Sequence, residues 1–156
     1  MLNDLLIAAL ARQHLSYTWA EEAVAWAVGE IVAGRDTPEI CVLAGMSPPF
    51  DGWEIKEQLD KAQAEAGIVP PDKAACLRLY ARPVAQALLD GTISIPDACH
   101  ALSEFYNRAD ADEYYNWYSL NEAWDLLVYS GVAYYPSMEP DALNQDARME
   151  ARKLLS

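Results

Sequence analysis

Acidic and aromatic side chains are concentrated in residues 109–147, a segment that contains no Lys or Arg. Eight of the chain's acids lie there: Asp110, Asp112, Glu113, Glu122, Asp125, Glu139, Asp141 and Asp146. Carboxylates accept paired hydrogen bonds from Arg and steer cationic partners at long range, whereas Tyr and Trp supply rigid anchors and cation–π faces. This combination of side chains is typical of a surface that binds a basic protein.

The predicted contact residues lie between positions 110 and 125. They are Asp110, Asp112, Glu113, Tyr114, Tyr115, Trp117, Tyr118, Glu122 and Asp125. The alternative interpretation is that the rings close the hydrophobic core while the acids keep the surface hydrated. Trp124, which fits the apolar stripe of a predicted helix, illustrates that alternative. Both interpretations stay open from the sequence alone.

Motifs that would indicate catalysis or metal binding are missing from the sequence. Cys99 and His100 are adjacent, and helical neighbours point about 100° apart, which suits neither a shared metal nor a nucleophile pair. The segment 45–49 is too rich in Pro to wrap a phosphate. A calcium loop starting at Asp110 would need Gly and Glu where Tyr115 and Asn121 stand. We therefore expect a protein without enzymatic activity, without a metal ion and without a cofactor.

Length and charge narrow the class of protein. The chain has 156 residues, a net charge of −13 and 53% apolar residues, so we expect a single globular domain over 1–156. The negative charge argues against direct binding to nucleic acid or to anionic membranes. No apolar run approaches the roughly 18–20 residues of a membrane span.

The cysteines and the N-terminus indicate a cytoplasmic protein. Cys41, Cys76 and Cys99 are odd in number and widely spaced, which is not a disulfide framework. The apolar stretch after Asp4 has no Lys or Arg before it and no clear cleavage site after it. We interpret it as the first helix of the mature protein and expect buried, free thiols.

The helix start and stop signals along the chain predict an all-α fold, an irregular array of about eight short-to-medium helices. The strand-prone pieces, 93–95 and 132–135, leave no room for a stable sheet. Capping-box patterns predict helix starts at Thr18, Asp51 and Ser119. Further starts are predicted at Leu2, Thr37 and Pro96, after Pro70-Pro71, and at Pro140 or Asp141, with a kink at Pro83.

Residues 31–41 and residues 87–99 share a similar sequence pattern. Both stretches contain a helix end at Gly, a short turn, a Pro-acid restart and a Cys two residues after the acid. Duplication of a helical hairpin, which would give two related halves, and independent helix punctuation both explain this pattern.

Several motifs resemble small, uncharacterised, acidic helical bacterial proteins. They are Trp26-Ala27, Gly34-Arg35-Asp36-Thr37-Pro38-Glu39, Leu43-Ala44-Gly45, Leu59 with Ala64-Glu65-Ala66-Gly67, and the end 147–155. Proteins of this character resemble the immunity proteins of bacterial toxin systems, which bind and neutralise a cognate toxin. The resemblance implies a cytoplasmic antitoxin-like protein whose partner is a basic toxin or effector. The resemblance assigns no functional role to any residue of this chain, and residues 110–136 lie outside it.

Three other functions compete with this hypothesis. An adaptor or chaperone for a secreted effector would present a surface more apolar than acidic. A DNA-mimic inhibitor would space its carboxylates like duplex phosphates. An enzyme with a cryptic site would carry a buried carboxylate with a raised pKa.

Overall fold

The computed structural model describes residues 2–156 and confirms the all-α prediction. Within this range the chain forms eight α-helices and no β-strand. The helices are α1 (Asp4–His14), α2 (Ala20–Val32), α3 (Pro38–Ala44), α4 (Gly52–Glu65), α5 (Lys73–Asp90), α6 (Ile95–Ala109), α7 (Tyr115–Ser130) and α8 (Pro140–Leu155). Two short 3₁₀ turns, Asp112–Tyr114 and Pro136–Met138, precede α7 and α8.

The chain divides into two compact units, one ending at Cys76 and the other comprising Leu77–Ser156. The boundary falls inside α5, which is helical through Pro83 without interruption. Pro83 is exposed, so water can reach the carbonyl that the ring leaves without a helical N–H. That the chain folds as one domain of two related halves, and that α5 bends at Pro83, both stay predictions.

The first unit packs α1–α4 around one apolar core. The fully or nearly fully buried members are Leu6, Ala9, Ala23, Trp26, Ala27, Ile40, Leu43, Ile55, Leu59 and Ala62. The predicted cap at Asp51 is confirmed, because its carboxylate accepts the backbone N–H groups of Trp53 and Glu54. Burial of these apolar side chains is the main stabilising contribution to the unit.

The predicted N-cap of α2 at Thr18 is wrong by one residue. The helix begins at Ala20 with Trp19 at the N-cap position, and no side chain caps it. The Thr18 carbonyl instead accepts the Nε–H of Arg12, and Trp19 packs against the core. Tertiary contacts therefore determine where this helix starts, over the capping preference of Thr18.

The predicted start of α7 at Ser119 is also wrong. The helix begins at Tyr115, directly after the 3₁₀ turn Asp112–Tyr114, so Ser119 lies inside it. The aromatic side chains of Tyr114 and Trp117 are buried, and their packing extends the helix toward its N-terminus beyond the capping signal. Consequently, most of the predicted contact segment is helical.

Candidate functional site

The structure separates the predicted contact residues into a buried set and an exposed set. Tyr114 is 3% exposed and Trp117 is 2% exposed, so both belong to the core of the second unit. The Tyr114 ring lies 4.8 Å from the Phe105 ring between centroids, and burial raises the pKa of its hydroxyl. For these two residues the core-closing interpretation describes their position, and we leave them out of the candidate surface.

Three of the predicted acids lie in the turn between α6 and α7. Asp110 ends α6 in the left-handed conformation, with φ of 49°, and Asp112 and Glu113 follow in the 3₁₀ turn. All three are exposed. Asp tolerates the left-handed region better than most residues, so Asp110 has a structural reason for its position as well.

One face of α7 carries the other predicted contact residues. We define the outer stripe as Tyr115, Tyr118, Glu122, Asp125, Leu126 and Tyr129. Apart from the adjacent pair Asp125 and Leu126, they are three or four residues apart, and all six fall on a single side of the helix. Tyr118 is half-buried and the others are exposed, with Tyr129 reaching 92%. The stripe thus presents two tyrosines, then two carboxylates, then Leu126 and Tyr129 over most of the helix.

Tyr106 of α6 completes a cluster of three tyrosine rings at the start of the outer stripe. Ring centroids lie 5.0 Å apart for Tyr106 and Tyr118, 5.4 Å for Tyr106 and Tyr115, and 6.0 Å for Tyr115 and Tyr118. The tilted and edge-on geometry is the favourable one for aromatic pairs. The sequence pattern does not point to Tyr106, because this residue falls on the periodic apolar face of α6 as a core residue would; in the structure it is half-buried.

The three tyrosine rings pack against one another without any partner. Each ring packs against the other two, and Tyr115 is still 52% exposed. Side chains that are already ordered lose little rotamer entropy on association. The cluster can therefore act as a rigid anchor with the carboxylates of Glu122 and Asp125 beside it on the same helix face.

A separate cavity of about 980 Å³ lies within the first unit. Several of its polar side chains already have structural partners. Glu30 accepts two hydrogen bonds from Arg35, at 2.5 and 2.9 Å, which hold the pKa of its carboxyl below the ordinary value although burial acts the other way. Glu65 accepts the backbone N–H of Glu39, and Asn3 accepts that of Leu5. The cavity offers an apolar wall from Leu6, Trp26 and Ile40, but the carboxylates of Glu30 and Glu65 are engaged in holding the helices.

The remaining reactive groups do not converge. Burial raises the pKa of Cys76 to about 11 and that of Cys99 to about 12, so both thiols are protonated and inert at neutral pH. The prediction of buried thiols is wrong for Cys41, which is exposed, as are both histidines. Among residues 2–156, no group of three or more His, Cys, Asp or Glu side chains is placed to hold a metal ion. None of the helices described in this range is long and apolar enough to cross a bilayer.

Comparison with known proteins returned no family model, no curated protein and no solved structure that matches the chain.

Proposed function

We propose that this protein is an immunity-type protein of the bacterial cytoplasm that binds a cognate basic toxin and neutralises it by occlusion, without catalysis. The observation that carries the proposal is the outer stripe of α7 together with the ordered tyrosine cluster. The stripe combines pre-packed rings with carboxylates and lies in a segment without Lys or Arg. The binding residues proposed are Asp110, Asp112, Glu113, Tyr115, Tyr118, Glu122 and Asp125, with Tyr106, Leu126 and Tyr129 added by the fold.

Each part of the surface has a distinct role in this proposal. The carboxylates attract a cationic surface and accept hydrogen bonds from Arg or Lys, as the substrate's own negative groups would. The rings of Tyr106, Tyr115 and Tyr118 provide apolar contact and faces for guanidinium groups. An enzyme that acts on a polyanion presents such a basic site, and a protein seated over it excludes the substrate.

The proposal is tested by capturing the partner from a lysate of the source cells with the purified protein at low and moderate salt. We expect to capture one basic protein at a ratio of about 1:1. Capture should weaken as the salt concentration rises, because salt screens the attraction between the charged surfaces. The captured protein is then purified and its activity is titrated with this chain. Immunity-type action predicts complete inhibition at equimolar protein.

Two charge-reversal pairs locate the contact surface. Asp112→Lys with Glu113→Lys, and Glu122→Lys with Asp125→Lys, should each weaken binding about tenfold or more, because they bring like charges together. Asp36→Lys with Glu54→Lys makes the same change in net charge on the first unit and serves as the matched control. If the control pair weakens binding as much as the other two, the stripe is not the contact surface.

The competing functions give different results in the same experiments. A chaperone would keep an unfolded client in solution but would not inhibit a folded enzyme. A DNA mimic would be displaced from its partner by duplex DNA. Capture of no partner, combined with turnover of a small molecule, would contradict the immunity-type function altogether.

A further inference from the structure

The inner face of α7 continues beyond the core that covers it. Trp117 and Trp124 lie seven residues apart on this face, the first buried and the second half-buried. Val128 follows Trp124 by four residues and therefore occupies the same side of the helix. It is nevertheless 80% exposed. A side chain at a core-facing position that meets solvent marks a helix end without a covering element.

The segment after α7 adds further uncovered apolar side chains. Val132, Tyr134 and Tyr135 are 54%, 60% and 67% exposed. We define the terminal patch as Val128, Val132, Tyr134 and Tyr135. Next to it, the indole N–H of Trp124 is buried without a hydrogen-bond partner among the described residues. Because a buried, unpaired N–H is unfavourable, both a polar group and apolar side chains lack contacts at this end of the core.

The charges near the terminal patch are negative, because the basic residues of α8 lie at the opposite end of that helix. Asn116 at the start of α7 donates to Glu150 near the end of α8, and Lys153 donates to the same carboxylate oxygen at 2.7 Å. The basic residues of α8 all lie in its second half, from Arg148 onward, and so belong to this far end. The 3₁₀ turn Pro136–Met138 packs against both α7 and α8, which places the acidic start of α8, with Glu139 and Asp141, near the end of α7.

The end of α7 itself also favours a cation. Its last turn contains no basic residue, and the terminal carbonyl groups of a helix carry partial negative charge. A second copy of this chain fits the patch poorly, because each copy carries a net charge of −13 and would bring the same acids together. Charge complementarity therefore favours a partner that combines apolar side chains with Lys or Arg.

We propose that the terminal patch docks an amphipathic cationic segment of another protein, with apolar side chains on Val128, Val132, Tyr134 and Tyr135 and basic side chains toward Asp125, Glu139 and Asp141. This inference deepens the proposed function, since it adds an apolar requirement to the partner. It assigns to the complex a second contact region that the sequence-based prediction did not include.

The test measures binding of a fluorescent synthetic helix of Leu and Lys by fluorescence anisotropy. Two matched peptides separate the contributions: one with Ser in place of Leu, and one with Gln in place of Lys. We expect saturable 1:1 binding of the Leu–Lys peptide, about tenfold tighter than either matched peptide, because both the apolar and the charged contacts are needed. The intact protein is used throughout.

Val128→Asp is the decisive variant. It adds a negative charge, which on electrostatic grounds alone would strengthen binding of a cationic peptide, yet it should weaken binding about tenfold by removing apolar contact. Val32→Asp makes the same change at an equally exposed valine of α2, at 83%, and should leave the affinity within about twofold. Tyr134→Ser with Tyr135→Ser gives the same loss without any change in charge.

Three results would overturn the proposal. One is equal binding of the Ser–Lys peptide, which would reduce the interaction to charge. Another is unchanged or tighter binding to Val128→Asp. The third is a dimer of the free protein that Val128→Asp dissociates, which would assign the patch to self-association. Failure of the toxin experiments with a positive peptide result would reject the proposed function and retain the docking site.

Discussion

Glu65, at the end of α4, caps α3: its Oε2 atom accepts the backbone N–H of Glu39 at 2.8 Å. The N-cap residue of α3, Thr37, makes no such hydrogen bond, and its hydroxyl is buried without a partner among the described residues. Gln58 of α4 adds hydrogen bonds to the carbonyl and carboxylate of Glu39. The start of this short helix is therefore held by a neighbouring helix instead of by its own N-cap side chain.

Thr37→Val is expected to change the free energy of unfolding by less than about 0.5 kcal/mol, whereas loss of a working Thr cap costs about 1 kcal/mol. The substitution removes an unpaired buried hydroxyl and keeps the shape of the side chain. Glu65→Ala should cost about 1 kcal/mol, because it leaves the Glu39 N–H unpaired. Urea unfolding measures both, with Asp51→Ala as the control for a side-chain cap in use. A larger loss for Thr37→Val than for Glu65→Ala would contradict this assignment.

The Glu30–Arg35 pair predicts a stability difference that depends on pH. Because the folded pKa of Glu30 is lowered, the pair stabilises the protein fully above the ordinary value of 4.5, and this contribution is lost as the pH falls through the lower folded pKa. Glu30→Gln should lower the free energy of unfolding by about 1 kcal/mol at neutral pH, since the Arg35 side chain is largely exposed. Unfolding curves of both proteins should converge under acidic conditions. A difference that stays constant across this pH range would indicate a purely steric effect.

Thiol reactivity distinguishes the three cysteines. At about pH 8, an exposed thiol reacts readily with a disulfide reagent, whereas a buried, protonated thiol does not. We expect only Cys41 to react in the folded protein and all three thiols to react after denaturation, because Cys76 and Cys99 are buried. Cys41→Ser should abolish the fast reaction. Rapid labelling of Cys99 in that variant would indicate that the second unit opens readily.

Tyr114 and Tyr115 are adjacent in sequence but are expected to differ sharply in their effect on stability. Tyr114→Ala removes a nearly fully buried ring that packs on Phe105 and should cost about 3 kcal/mol or more. Tyr115→Ala removes a half-exposed ring and should cost about 1 kcal/mol or less, mostly from lost contacts with Tyr106 and Tyr118. Denaturant unfolding measures both changes. Equal losses would contradict the division of the predicted residues into core and surface.

The fold class followed from helix punctuation, because Gly, Pro and capping residues act locally. Gly34 and Gly131 end their helices with positive φ, and Pro140 begins α8 as the pattern predicts. The predicted starts of α2 and α7 are wrong because the packing of Trp19, Tyr114 and Trp117 outweighs a capping-box pattern. A one-dimensional pattern does not contain these tertiary contacts.

Four of the nine predicted contact residues share one helix face, and the sequence pattern could have indicated this only with the correct start of α7. Tyr115, Tyr118, Glu122 and Asp125 fit a helical spacing, but the first two precede Ser119, where the capping pattern predicts the helix to start. The contribution of Tyr106 depends on how α6 packs against α7, which no spacing rule gives. The same holds for the terminal patch, since Val128 has the pattern of a core residue.

The absence of basic side chains between Arg108 and Arg148 also determines how this surface responds to chemical probes. Trypsin cleaves only after Lys or Arg, so the whole of α7, with its outer stripe and the terminal patch, leaves the protein as one peptide, residues 109–148. Amine-reactive crosslinkers find no lysine there and will miss a partner bound at this surface. Carboxyl-directed crosslinking and cleavage after Glu113 and Glu122 suit the chemistry of this region.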